Sequence, residues 1–398
     1  MRNWAGNHQY GAITLHRPRT LEELQEIVSR ASSIRALGSR HSFNAIADAG
    51  ELVTLDDLPH EIEIADDTVT VSANVTYAEL CRELHRGGVA LHNLASLPHI
   101  NVAGAVATAT HGSGDTLGNL ATAVASIDLV TPDGDIATFS RGDTHFDGVV
   151  VGLGSLGVVT RLTLHVEPAY DIHQHVYEHL PWSALTAHFD EIFASGYSVS
   201  VFTDWNDVTQ VWVKSRHAGP DELFGAKPAS QGKHPINGLD PANCTQQLGD
   251  PGPWHERLPH FRTGFTPSSG NELQSEFFVG RGDAVQALER IRAEAKVVRP
   301  VLHVSEIRTI AADSLWMSPQ YGRDCIGIHF TWTQSPGVAQ AIRAVEGALA
   351  PLDPRPHWGK LFSTGGRYER LRDFQTLAGK LDPRGAFRNA WLDRHVFS

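Results

Sequence analysis

Residues Val149–Pro168 read VVVGLGSLGVVTRLTLHVEP, and how this stretch is parsed decides the fold. Gly152, Gly154 and Gly157 spell G-x-G-x-x-G, the turn that holds a dinucleotide pyrophosphate when a helix follows it. No helical pattern follows. Residues 158–166 (VVTRLTLHV) alternate apolar and polar side chains and are rich in β-branched residues, which predicts a strand. A nicotinamide-type doubly wound sheet therefore lacks the element that defines it.

Upstream, VASIDLVTPDGDIATFS (124–140) reads as a hairpin, two strands joined by a Pro-Asp-Gly turn. EIEIADDTVTVSA (61–73) reads as two short strands around an Asp-Asp turn. Helices are predicted over RTLEELQEIVSRA (19–31) and TYAELCRELHRGG (76–88), each opened by a capping box, Thr20 with Glu23 and Thr76 with Glu79. Leu91–Asp115 is dominated by alanine, glycine and threonine with almost no charge, the texture of backbone lying against something flat or large.

Downstream of Pro168 the texture changes to aromatic residues, histidines and longer loops, and a domain boundary is expected near Ala169. VSVFTDW (199–205), QVWVKSR (210–216) and ELQSEFFV (272–279) are expected strands of a second sheet, and GDAVQALERIRAEA (282–295) and PGVAQAIRAVEGALAPL (336–352) are expected helices. A length of 398 residues favours two domains, and 41% apolar with 20% charged residues is ordinary for a globular chain.

The bulk numbers exclude several function classes. With 33 basic against 45 acidic residues and a formal charge of -12, nucleic acid is not an expected partner. Three scattered cysteines, Cys81, Cys244 and Cys325, suit neither a disulfide framework nor a zinc site and read as core thiols. The start has no apolar signal-like region and no run is long enough for a membrane span, so a cytoplasmic enzyme without membrane attachment is expected. The sequons at Asn74 and Asn243 carry little weight in that setting.

No metal is expected. In WHERLPH, His260 comes one residue late for H-E-x-x-H and follows Pro259, which breaks a helix; His173 and His175 lie on one side of a strand without an evident third ligand and read as solvated. No G-x-S-x-G elbow and no P-loop occur. Two glycine-rich loops remain, LGSRHS (37–42) and VAGAVATATHGSG (102–114). Their backbone N–H groups either form nests for a dinucleotide pyrophosphate or close tight turns, and composition leaves both readings open. Three further pieces, SEIRTI, GIHFTW and HWGKLF, set Glu306, Arg308, His329, Thr331, His357 and Lys360 among apolar residues. Residues two apart on a strand share a face, so the pattern suits a sheet facing a polar pocket, or else a solvated face.

Taken together, NWAGN, LGSRHSFN, NLASLPHINVAGAVATATHGSG, LGSLGVVT, SVFTDW, PGPWHERLPHF, TPSSGNELQSE, SEIRT, HFTW and RPHWGK resemble the alditol oxidases of the vanillyl-alcohol oxidase flavoprotein superfamily over nearly the whole chain. The resemblance implies a two-domain α+β architecture, a PCMH-type FAD-binding fold with an antiparallel-sheet cap: residues 1–168 bind FAD, 169–354 form the cap, and 355–398 return to the FAD-binding domain. It implies FAD attached covalently through His41 to the flavin 8α-methyl carbon. Cofactor contacts carry over to Ala36, Leu37, Gly38, Ser39, Arg40, His41, Ser42, Ser96, Asn101, Gly104, Thr108, Ala109, Thr110, His111, Val158 and His357. Substrate contacts carry over to Ser96, Glu306, Arg308, His329, Thr331 and Lys360, with Glu306, Arg308 and Lys360 in catalytic roles and Ala95 leaving room for O2.

The implied reaction is oxidation of the terminal C1 hydroxyl of a polyol such as xylitol or sorbitol, with O2 reduced to hydrogen peroxide, by a monomer. Two departures stand out: relatives carry glycine where this chain has Arg40, and serine where it has Asn101. If position 40 needs a positive φ, arginine is strained there. The rival expectations are an aldonolactone oxidase or dehydrogenase of the same superfamily and a flavin-free carbohydrate-binding protein.

Overall fold

The computed structural model describes residues 1–264 and 272–398; the TPSSGN portion of one matching string lies outside them. Among the described residues, the first part of the chain holds three sheets, the smallest pairing Val89–Ala90 with Glu167–Pro168. A small parallel sheet orders Thr14–His16, Glu51–Val53 and Ile34–Ala36 side by side. A five-stranded antiparallel sheet runs in the order Ile62–Ile64, Thr68–Ser72, Val158–His165, Val124–Val130, Ile136–Ser140. The strand after the glycine motif is therefore central in that sheet, as the alternation of 158–166 requires. The helix Tyr77–Arg86 closes its predicted capping box, with Thr76 and Glu79 exchanging side-chain and backbone bonds, and Leu21–Arg30 starts on Thr20.

The second sheet has nine strands, antiparallel throughout, with Asp171–Glu178, Val208–Ser215, Ser198–Thr203, Leu302–Ile310, Cys325–Thr333 and Glu272–Gly280 adjacent in that order. Pleating separates its two faces. Ile307, Ile328, Phe330, Trp332, Phe277 and Val279 pack with Leu288, Ile291, Ile342 and Val345 of the helices Ala284–Ala293 and Val338–Leu349, forming an apolar core behind the sheet. The intervening residues face the other way, toward the glycine loops.

The cysteines are buried and free. Asn74 is buried, its Nδ2 donating to Leu55 O at 2.8 Å and Leu58 O at 3.0 Å, so it holds a loop. His173 and His175 differ from the solvated expectation: both are half-buried, His173 Nδ1 lying 2.8 Å from Gly249 O and His175 Nε2 accepting from Gly219 N at 3.2 Å. The loops that cover this strand supply partners invisible in the local sequence.

Candidate active site

A cavity of about 580 Å³ lies between the glycine loops and the nine-stranded sheet. One wall is the segment Ala36–Ser42, joined by Ala95, Ser96, Asn101, Gly104, Thr108, Thr110 and His111. Leu153, Gly154 and Gly157 also line it, so the G-x-G-x-x-G stretch does reach this cavity, but as a turn into a strand. Of the expected cofactor contacts, Ala109 and Val158 do not line it: both side chains are fully buried, Val158 against Leu24, Val28 and Phe387, while its neighbour Val159 takes the cavity face.

The loops fit a large planar group. A Cβ placed on Gly104 meets nothing within 4 Å and projects into open space, whereas one on Gly38 would fall 2.9 Å from Asn101 Oδ1, so Gly38 permits a close loop contact. Asn101 ties that contact, its Nδ2 donating to Asn74 O at 2.7 Å. Arg40 has φ 62°, the left-handed conformation that glycine adopts freely, so the strain anticipated for arginine is present. His41 stacks on Trp4 at 5.2 Å, and neither ring nitrogen makes a well-formed hydrogen bond although both are buried. Burial pushes its pKa down to about 4, only partly offset by the Ser39 backbone. Two buried ring nitrogens without a well-formed hydrogen bond, in a cavity wall, are an exception to the rule that buried polar atoms are satisfied.

The facing wall is built by strand register. Glu276, His329 and Glu306 sit directly opposite one another on three adjacent strands, with Phe202 continuing the row on a fourth; Gln274, Thr331 and Val304 form the next row. Period-two alternation puts both rows and Arg308 on the cavity face. These groups form two charged clusters.

In the first, Arg308 donates from Nε to Glu306 Oε1 at 2.6 Å and from Nη2 to Glu306 Oε2 at 2.5 Å, and also to Ser96 Oγ; His260 Nε2 lies 2.7 Å from Glu306 Oε1. In the second, Lys360 Nζ donates to Glu276 Oε2 at 2.6 Å and to His329 Nδ1 at 2.8 Å, which places the His329 proton on Nε2, 3.1 Å from Thr331 Oγ1.

Burial pushes the Glu306 carboxyl up, but Arg308 and His260 outweigh it and hold it well below the usual range. Lys360 and His111 do the same for Glu276. Burial depresses Lys360, and Glu276 opposes that. His111, Glu276 and His357 bring possible ligand atoms within 4.8 Å of one another. Glu276 is already paired with Lys360, and His357 Nδ1 accepts from Gly359 N at 3.0 Å.

All six expected substrate contacts line the cavity. Sequence reasoning missed four groups in or behind this wall: Glu276, Gln274, His260 and Lys214. Glu276 and Gln274 were legible in principle, since ELQSEFFV shows the same inset polar pairing as SEIRT. His260 was judged only as a zinc ligand, and Lys214 looks like an ordinary lysine at a strand end.

Comparison with known proteins agrees with this geometry. Residues 13–140 match the FAD binding domain family, and 273–395 match the D-arabinono-1,4-lactone oxidase family. Cholesterol oxidase from B. sterolicum superposes with a TM-score of 0.76 over 99% of this chain and 96% of its own at 15% identity, a likeness of fold alone. L-gulono-1,4-lactone dehydrogenase of Mycobacterium tuberculosis is 27% identical over 98% of each chain. An alditol oxidase from a Streptomyces species is 49% identical over 98% of this chain and 97% of its own. At 49% identity over 98% of its length, the protein belongs to the alditol oxidase family.

Proposed function

We propose that the protein oxidises the terminal hydroxyl of acyclic polyols, converting RCH2OH and O2 to RCHO and H2O2. The observation that carries this reading is the row Glu276–His329–Glu306, flanked by Arg308 and Lys360, facing the glycine loops across one cavity. When bound, FAD supplies the hydride acceptor and then delivers the electrons to O2.

The chain's own groups do the rest. Ala36–Ser42, Ser96, Asn101, Gly104, Thr108, Thr110, His111 and His357 hold the cofactor, while Ala109 and Val158 pack in the core behind this wall. Arg308 and Lys360 supply fixed positive charge for the oxygen that loses its proton, in a pocket where burial strengthens such interactions. Glu306 accepts hydrogen bonds from substrate hydroxyls while keeping Arg308 oriented, and Ser96, Thr331 and His329 line the polyol chain. Ala95 leaves room for O2 beside the flavin.

Covalent attachment through His41 would occupy one of its two buried ring nitrogens, neither of which makes a well-formed hydrogen bond. His41→Ala should yield protein that loses its yellow colour on acid precipitation, whereas the wild-type pellet keeps it. Sheet membership supports the boundary near 169, where Asp171–Glu178 enters the nine-stranded sheet, whereas Arg355–Pro356 is still a strand of that sheet, so the proposed return to the FAD-binding domain comes after Pro356 rather than at 355. Buried free thiols suit a reducing cytoplasm, and a monomer remains the proposed state.

A peroxide assay across xylitol, sorbitol, mannitol and glycerol at controlled oxygen tests the reading. The match of 273–395 to the D-arabinono-1,4-lactone oxidase family makes sugar lactones the second substrate class for the same assay. Turnover of lactones with none of the polyols would overturn the first reading.

A further inference from the structure

We propose that Lys214 and His260 act as a positioning dyad behind Glu306: Lys214 sets the tautomer of His260, and His260 in that tautomer holds Glu306 as the anion that orients Arg308. The proposal rests on the polyol-oxidising reading above and adds two residues to it. Lys214, on Val208–Ser215, is 1% exposed, and its Nζ has three acceptors: Leu258 O, Pro259 O at 3.2 Å and His260 Nδ1 at 3.1 Å. Burial, reinforced by Arg308 and opposed by Glu306, pushes the Lys214 pKa well down, but three acceptors match the three protons of an ammonium; with Lys214 as that donor, Nδ1 accepts and the ring proton sits on Nε2. From Nε2 it meets Glu306 Oε1 at 2.7 Å, the nearer of the two groups at that nitrogen, the other being Arg308 Nη2, a donor, at 3.2 Å. The opposite tautomer would aim a lone pair at a carboxylate oxygen.

The surroundings leave no other group for these roles. His260 is wedged edge-on against Trp212 at 5.1 Å and Phe202 at 5.6 Å, and its backbone N–H donates to Ser96 O at 3.1 Å, so the ring cannot easily turn. The titratable and charged groups facing the dyad are Glu306 and Arg308 from Leu302–Ile310 and Cys244 from the segment before His260; Ser198–Thr203 presents only Phe202. Burial, reinforced by Lys214 and Arg308 and opposed by Glu306, pushes His260 down to about 4, which keeps the ring neutral over the ordinary working range.

Two measurements test the dyad. In the resting wild-type holoenzyme, histidine-selective 15N NMR, assigned with His260→Gln, should show the Nε2–H tautomer; an Nδ1–H signal overturns the proposal whatever the substrate proves to be. In anaerobic rapid mixing with xylitol, Lys214→Met and His260→Leu with wild-type flavin content should reduce flavin roughly 10- to 100-fold more slowly, the usual effect of removing an outer hydrogen-bond partner. His260→Gln, whose amide N–H can replace Nε2–H, should recover most of the rate.

Lys214→Met also removes a cation that lowers the His260 pKa, so the acid limb of the reduction rate should move to higher pH, a change that loosened packing alone would not produce. A Lys214→Met enzyme with wild-type rate and unmoved acid limb, or a Gln variant as slow as Leu, would refute the dyad. Failure of the wild type itself on every polyol would refute the substrate reading instead.

Discussion

Glu276→Gln is the substitution from which most can be learned. Glu276 is 1% exposed and is the anion beside Lys360, at 2.6 Å. Glutamine preserves its shape but leaves a buried ammonium unpaired. Removing one partner of a buried pair costs about 3–5 kcal/mol if the other stays charged. Lys360 has an escape, because burial already depresses its pKa and Glu276 leads the interactions that oppose this. In the variant its pKa falls further, so the amine gives up its proton at a lower pH than in the wild type. If its positive charge stabilises the developing alkoxide, loss of that charge should slow flavin reduction by about 10²–10³-fold, the effect of deleting one preorganised oxyanion partner.

The sign with pH follows directly. A lysine with a lowered pKa is cationic only below that value, so the Glu276→Gln rate should recover as pH is lowered. Anaerobic rapid mixing with xylitol, following flavin absorbance as a function of pH in both enzymes, reads both effects. A variant faster than wild type near neutrality would mean that Lys360 works as a neutral base, and an unchanged rate and profile would mean that its charge is not used; either result refutes the argument.

Ala95→Leu adds a branched side chain to the half-buried position expected to admit O2, and should slow reoxidation more than reduction; equal slowing of the two half-reactions in rapid mixing would exclude gating there. Arg40→Gly should relieve about 1–2 kcal/mol of left-handed strain and return about 0.5–1 kcal/mol through the greater freedom of the unfolded chain, so Tm should rise by about 1–2 °C. A lower Tm would mean that the arginine side chain makes compensating contacts.

Asp313 is half-buried and accepts from Asn119 Nδ2 at 2.7 Å and from Ser318 Oγ at 2.6 Å, yet desolvation pushes its pKa up to about 6. Its folded value lies above its unfolded one, so its contribution to stability is present below the unfolded pKa and is lost as pH rises through about 6, by up to about 3 kcal/mol. Asp313→Asn should therefore show a flatter decline of Tm with rising pH across that window, and an identical slope would show that Asp313 does not titrate there.

Most of the architecture was legible because it rests on local chemistry. Capping boxes placed the helices at Thr20 and Thr76, the Pro-Asp-Gly turn placed the hairpin, and alternation marked the strand after Gly157. The candidate site was legible in part for the same reason: Glu306 and Arg308 are two apart on one strand, as are His329 and Thr331, so each pair shares a face whatever its neighbours do. What lies across strands was not legible. Residues 276, 306 and 329 form one row only because three strands pair in a particular register.

That register is determined by the reverse face, where Phe277, Ile307 and Ile328 must all reach the apolar core together. A slip of one residue in the central strand would turn Ile328 into the cavity and bury His329 against the helices, separating Lys360 from the histidine that accepts its proton bond. The charged row is thus specified by the hydrophobic one behind it. The same coupling explains why His260 and Lys214 escaped notice: each reaches Glu306 from a different segment, and the face Lys214 occupies is decided by Val211 and Val213 packing on the core side.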